Sequence, residues 1–211
     1  MDTHDDFAFE PIRGLPARPP KGETILWQGR PDGWRLAREA FALDWIAAYF
    51  VLIVLWRGGA GWAEGGIAGA LAFGIPYAVM GLVGCLVVLG LAWVQARATV
   101  YTVTTARIAM RIGAALTVTL NLPFRQIAAA ALDLRRGGTG TIAIRTPGET
   151  RLSYLVCWPH VRPWHMRRTE PALRCIPDAA RVARILADAA ETRMTQPEIA
   201  RTAPAAAVAA E

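Results

Sequence analysis

Charged residues stop at Glu64 and do not resume until Arg97. Residues 65–96 between them are Leu, Val, Ala, Ile and Gly almost without interruption, with Gln95 the one strongly polar side chain. An uncharged run of roughly 18 or more residues predicts a transmembrane helix, because about 20 residues at 1.5 Å each cross the hydrocarbon core. A second apolar stretch, residues 41–56, precedes it, with Asp44 near its start and Trp45 and Trp56 where the two bilayer interfaces would fall. The link RGGAGWAEGG joins the two, so the pattern predicts a helical hairpin at 40–96, with spans at about 40–57 and 68–95. The longer run could instead break into two short helices near Gly74-Ile75-Pro76; a single tilted helix kinked at Pro76 fits the bilayer better. Gly66, Ala70, Gly74 and Ala78 recur every fourth residue, a small-residue row that lets helices approach closely in lipid. That row serves either the chain's own first span or a homodimer.

Beyond Thr99 the period changes. TVYTVTT, RIAMRI, ALTVTL, IAAAALDL, GTIAIRT and TRLSYLV are short and rich in β-branched residues, and several of them alternate. Turn signals separate them, which predicts an antiparallel sheet or small barrel. Pro177 and Asp178 then open a helix over 177–194, with Val182, Ile185, Leu186 and Ala189 along one side. Residues 1–21 read as a flexible N-terminus and 22–39 as a segment associated with the β domain. The β domain itself is placed at 97–194, and the Ala-rich 195–211 as a disordered tail.

Charge sets the orientation. The chain has 23 Lys and Arg against 17 Asp and Glu, and Lys21 is the single lysine. Arg13, Arg18, Lys21, Arg30, Arg35 and Arg38 precede the first span, and Arg97, Arg107 and Arg111 follow the second. The link holds only Arg57 and Glu64, so the positive-inside rule puts both termini in the cytoplasm and the link in the periplasm. The arginines are spread out and carry no nucleic-acid motif. They suit phosphate head groups or acidic partners, or simply reflect a GC-rich genome. Three cysteines without regular spacing predict no disulfide framework. The acidic opening MDTHDDFAFEP has no apolar core, so no cleaved signal peptide is expected.

Catalytic motifs are not evident. Gly137-Gly138-Thr139-Gly140 lies between strands and reads as a hairpin turn, and Thr169-Glu170-Pro171 has no partner by spacing. Cys157, His160, His165 and Cys175 are of zinc-binding type, but their spacing is not a strong zinc pattern, and no metal or cofactor is expected. His160 could alternatively ligate a pigment, against the default of a hydrogen-bonded or solvent-facing imidazole. The stretch around it reads better as a surface. Trp158, Pro159, Pro163 and Trp164 offer rigid apolar area, and Arg162 and Arg167 beside His160 add polar recognition, aimed at a partner protein or the membrane interface. At least one of the two tryptophans is expected to plug the end of the barrel.

Strands closed by one amphipathic helix follow the order of a pleckstrin-homology-like (PH-like) barrel. GETILWQGRPDG, then a membrane hairpin, then VYTVTTARIAMRI resembles the bacterial PH-like membrane proteins, with Glu23, Leu26, Trp27, Gly29 and Pro31, and then Tyr101, Thr102, Val103, Thr104, Arg107 and Ile108, at the characteristic positions. LNLPFRQI and CWPHVRPWHMRRTEPALRCIPDAARVARIL resemble more closely the photosynthetic complex assembly protein PuhB family, over about residues 22–186. That resemblance implies an α+β membrane protein: a transmembrane helical hairpin plus a cytoplasmic PH-like antiparallel β-barrel closed by a C-terminal helix. It further implies a non-enzymatic assembly factor in the inner photosynthetic membrane, whose partners are reaction-centre core subunits or assembly intermediates and membrane lipids, with a second copy of the chain as a further candidate. Three spans are often described for that family. The alternative from the residues alone is a general lipid-binding PH module unrelated to photosynthesis.

Overall fold

The computed structural model describes residues 12–114, 116–135, 137–147 and 152–195. The expected disordered tail and most of the acidic N-terminus lie outside these residues. Within the expected flexible N-terminus, Leu15 is 1% exposed and Ile12 bridges to it, so residues 12–15 are packed rather than free.

Ile25–Gly29 forms β1, Gly33–Glu39 α1 and Leu43–Ala98 α2. Asp32 caps α1 by accepting the Arg35 N–H at 2.8 Å. By length and composition α2 is one helix able to cross a membrane, and little of its most apolar stretch is buried within the protein. Its backbone leaves helical geometry only at Gly65 (φ −145°, ψ 24°) and Gly66 (φ 59°, ψ −142°). The second conformation is one that essentially only glycine adopts. The expected loop over 57–66 is therefore corrected: the chain stays helical through Glu64 and reverses at two residues, because the reversal needs no more than that glycine pair. A break at Pro76 is not found; the proline sits inside the helix.

The two arms, 43–64 and 67–98, lie side by side. Gly61 meets Gly69, Gly58 meets Gly74, Phe50 lies over Gly81, and Leu43 clusters with Ala92. A Cβ built on Gly61 would stand 2.3 Å from the Gly69 carbonyl oxygen, and one built on Gly69 2.1 Å from the Gly61 carbonyl oxygen. The guanidinium of Arg57 stacks over Phe73 and Tyr77 across the same seam. The small-residue row is spent inside the chain: Gly74 is buried against Gly58 and Val54, the Ala70 carbonyl faces Gly58, and Ala78 lines the groove beneath Phe50. Gly66 belongs to the turn rather than to the row.

The remaining strands are β2 (Val100–Thr104), β3 (Arg107–Ile112), β4 (Val118–Pro123), β5 (Ala129–Leu134), β6 (Gly140–Arg145) and β7 (Ala172–Ile176). A 3-10 turn, Phe124–Gln126, separates β4 from β5, α3 is Tyr154–Cys157, and α4 is Ala179–Thr195. The strands do not close into the expected barrel. They form a four-stranded sheet, β1-β2-β3-β4, and a three-stranded sheet, β5-β6-β7, all antiparallel. The division falls where Pro123 and the 3-10 turn interrupt the ladder between β4 and β5. Tyr101, Val103, Ile108, Met110, Ile142, Ile144 and Leu173 from the two sheets share one core with Val182, Leu186 and Ala189 of α4.

Two further expectations change. TRLSYLV is not a strand in its described part; Tyr154–Cys157 is a single helical turn that buries Cys157. The first strand of the domain precedes α2, so the sheet pairs Ile25 with Thr104 and Gly29 with Tyr101 across the whole length of the arms.

Candidate interaction surface

The loop after α3 meets the base of both arms. Trp158 packs edge-on against Phe41, ring centroids 4.9 Å apart, and Phe41 in turn packs against the buried cluster of Ala37, Leu43 and Ala92 at the base of the arms. Two residues on, His160 is fully buried between Tyr101 and Thr99. The hydrogen bonds run in one direction. Thr99 Oγ1 donates to the Gln95 carbonyl at 2.8 Å, so it accepts from His160 Nε2–H at 3.0 Å. Nδ1 then accepts the Tyr101 hydroxyl proton at 2.5 Å, and the Tyr101 oxygen accepts the Arg174 N–H at 3.3 Å. Each group has one proton to give and gives it once, which fixes a neutral imidazole protonated at Nε2.

The electrostatics agree with this arrangement. Burial, with a smaller push from the Arg174 cation, lowers the pKa of His160 to about 3. Burial likewise pushes the Tyr101 hydroxyl up. Arg174, itself buried, donates to the Pro159 carbonyl at 3.2 Å and the Glu39 carbonyl at 3.0 Å. The end of the second arm, the first strand after it, the end of α1 and the Trp158 loop are thus joined by one buried polar chain.

This arrangement corrects the expected surface. His160 and Pro159 are buried, and both imidazole nitrogens are occupied, so neither residue faces a partner and His160 has no nitrogen open to a pigment. Neither tryptophan belongs to the main core between the sheets: Trp158 covers the helix base and Trp164 is 87% exposed. Beyond Val161 the chain makes a small excursion. Val161 bridges to Pro171, Arg162 N–H donates to the Glu170 carbonyl at 2.9 Å, and 163–169 form its tip. Pro163, Trp164, Met166 and Arg167 are exposed there. The buried Glu170 carboxylate pins the base, bound by Arg145 Nε at 2.7 Å and Arg162 at 2.9 Å. Burial alone would raise that carboxyl, but the hydrogen bonds and charges of the two arginines outweigh it and hold it below the usual range.

The zinc-type residues are not brought together. His165 Nδ1–H donates locally to the Pro163 carbonyl at 2.8 Å, while burial pushes the Cys157 thiol up. Burial, reinforced by the Glu39 carboxylate, raises Cys175 to about 12. Among the described residues no three His, Cys, Asp or Glu side chains are placed to share a metal ion.

Sequence reasoning missed Thr99, Tyr101 and Arg174 as partners of His160. The available signal was an Arg in the apolar strand ALRCI, all five residues of which are buried, since a buried guanidinium requires carbonyls nearby.

Residues 42–190 match the bacterial PH domain family (bPH_2). The chain is also 47% identical over 201 residues to an uncharacterized 23.7 kDa protein in the puhA 5′ region of Rhodobacter capsulatus, covering 94% of each chain. No solved structure matches. The match begins at the residue before α2 and runs into α4, so the long apolar helix lies inside the family signature together with six of the seven strands, and the chain belongs to the bacterial PH domain family.

Proposed function

We propose that this protein is a non-enzymatic assembly factor for the photosynthetic reaction centre, a PH-like scaffold held on the cytoplasmic face of the inner membrane by the two arms of α2. The observation that carries the membrane part is the reversal at Gly65–Gly66. It returns an apolar, outward-exposed bundle to its own starting level, so β1 and β2 meet on one side. Arg13, Arg30, Arg35, Arg38 and Arg97 lie in sequence on the domain side of the arms and Arg57 and Glu64 near the turn, which favours a two-pass topology with cytoplasmic termini. Trp45 and Trp93 on the domain side and Trp62 near the turn suit the two interfacial belts.

The photosynthetic part rests on the relative in the puhA region together with the PuhB-like motifs around Trp158. The exposed tip with Trp164 and Arg167 is the surface offered to a reaction-centre subunit or assembly intermediate.

The test is a deletion strain read by membrane absorption spectra, paired with affinity purification of a tagged chain from mildly solubilised membranes. Selective loss of reaction-centre bands and co-purification of a reaction-centre subunit are expected. Unchanged pigment–protein bands, with binding of the chain to anionic lipid alone, would replace this reading with a general lipid-binding role.

A further inference from the structure

Several of the most exposed apolar side chains of the β domain lie toward one end. The chain leaves the second arm at Thr99 and starts β2 at Val100, which is paired with Arg111. Strand β3 then continues past that point to Ile112, so the β3–β4 turn projects back to the level of the helix base, with Leu116 83% exposed on it. At the same base, α1 crosses the second arm: Gly33 lies against Trp93 and Ala96, and Trp34 beside it is exposed. On the third side stands α3. Its Cys157 face is buried, while Leu155 is 84% exposed and Val156 points outward with it. Its following residue, Trp158, packs on Phe41, which joins the buried cluster of Ala37, Leu43 and Ala92 at the base of the arms.

The opposite end of the same sheet is built differently. There the β2–β3 turn is closed by Thr104, which donates to Glu23 at 2.7 Å, and by Arg107, which pairs with Glu23 at 2.9 Å. Ile25 and Leu26 near that end are 37% and 42% exposed, about half the exposure of Leu116 and Leu155. Three separate segments thus place large apolar residues at the level where the arms begin and end. Arg97 stacks over Trp93 within that ring. Aromatic and aliphatic side chains beside arginines are what a head-group layer accommodates.

We infer that Trp34, Leu116, Leu155 and Val156 form a collar that inserts into the anionic lipid interface, so that the domain sits on the bilayer in a fixed orientation. The inference rests on the reading of α2 as membrane-spanning. It deepens that reading by assigning the domain's own lipid-contacting residues. A collar embedded at three points presents the 163–169 tip at a set height above the membrane, where a membrane-protein client has its cytoplasmic edge.

The experiment places the photo-crosslinking residue p-benzoylphenylalanine in the full chain, reconstituted in nanodiscs containing phosphatidylglycerol, at Leu116, Leu155, Thr24 or Val83. Lipid adducts are counted by mass spectrometry. Leu116 and Leu155 are expected to give several-fold more lipid adduct than Thr24 at the opposite end, and Val83 on the arm gives abundant adduct. If Val83 forms lipid adducts while Leu116 and Leu155 match Thr24, the collar is overturned and the spanning helix stands. Protein–protein adducts at Leu155 in place of lipid adducts overturn it in favour of a second copy. Loss of lipid adducts at Val83 as well overturns the membrane reading itself.

Discussion

The arms of α2 and the sheet domain bury their residues by opposite means. Between the arms the contact runs through glycine: Gly61 on the Gly69 backbone, Gly58 on Gly74, and the Phe50 side chain on Gly81. In the domain the contact is bulk on bulk, Tyr101, Phe124, Ile108, Ile144 and Leu173 filling one core. On the proposed membrane-spanning reading of α2, the difference follows from the solvent. In water, apolar area removed from contact contributes about 25 cal/mol per Å2, so large side chains are favoured inside. Lipid tails offer no such gain, and close backbone approach is what holds helices together. The polar chain through His160 lies where the two regimes meet, joining the last turn of the second arm to the sheet.

The comparison sharpens under substitution. Ile144→Ala removes a fully buried side chain from the domain core and is expected to cost about 2–4 kcal/mol, read as a lowered denaturation midpoint of the purified chain in detergent. In the arms the sensitive change runs the other way. Gly61→Ala adds one methyl group against the Gly69 backbone and should destabilise the arm pair by about 1–3 kcal/mol, measured as increased separation of spin labels on the two arms. If Gly61→Ala proved neutral while Ile144→Ala cost the expected amount, the contrast between the regions would fail.

At the junction, Tyr101→Phe leaves His160 Nδ1 and the Arg174 N–H without their partner, for about 1–3 kcal/mol in the same denaturation assay. Acid should act on the same chain. The folded pKa of His160 lies at about 3, below the roughly 6.5 of an unfolded histidine, so the unfolded state binds the extra proton. Stability from this group is complete above about pH 6.5 and declines as pH falls toward 3, by at most about 1.4 kcal/mol per pH unit. The depressed Glu170 carboxyl adds loss of the same sign through the carboxylate range. The denaturation midpoint of the wild type should therefore drop between pH 6.5 and 5, and His160→Gln should flatten that slope. The smallest effect belongs to the outer face of the arms: Val83→Ala, on an exposed position, should change stability by less than about 0.5 kcal/mol.

Much of the domain was legible in the chain because its strands advertise themselves. TVYTVTT, RIAMRI and GTIAIRT carry β-branched residues in short runs, and all three are strands. ALRCI was not legible as a strand, because all its residues are buried and no alternation survives. SYLV was misleading for the reverse reason: its composition favours a strand, but its exposed Leu155 and Val156 and buried Cys157 fit a helical turn at the end of the sheet.

The arm contact was half legible. A row of every fourth residue is visible along one helix, whereas Gly61 and Gly69 become neighbours only once the chain reverses between them. They lie symmetrically about Gly65, and that mirror spacing was the signal available. At the candidate surface, the residue types around Trp158 were readable and their depth was not. Burial of His160 depends on Tyr101 and Thr99, about sixty residues away in the chain, which local spacing cannot encode.

The interruption of the four-stranded sheet by α2 also sets an order of events during synthesis. Ile25–Gly29 emerges from the ribosome first and stays without its ladder partner until Val100–Thr104 follows. Domains form as the chain is made, at roughly 5–20 residues per second, so several seconds separate the two strands. On the proposed membrane-spanning reading of α2, both arms pass into the bilayer and turn at Gly65–Gly66 in that interval. A chain whose second arm fails to insert cannot bring β2 beside β1 and keeps an open strand edge exposed to proteases and chaperones. On that reading, completion of the domain reports that both arms have inserted.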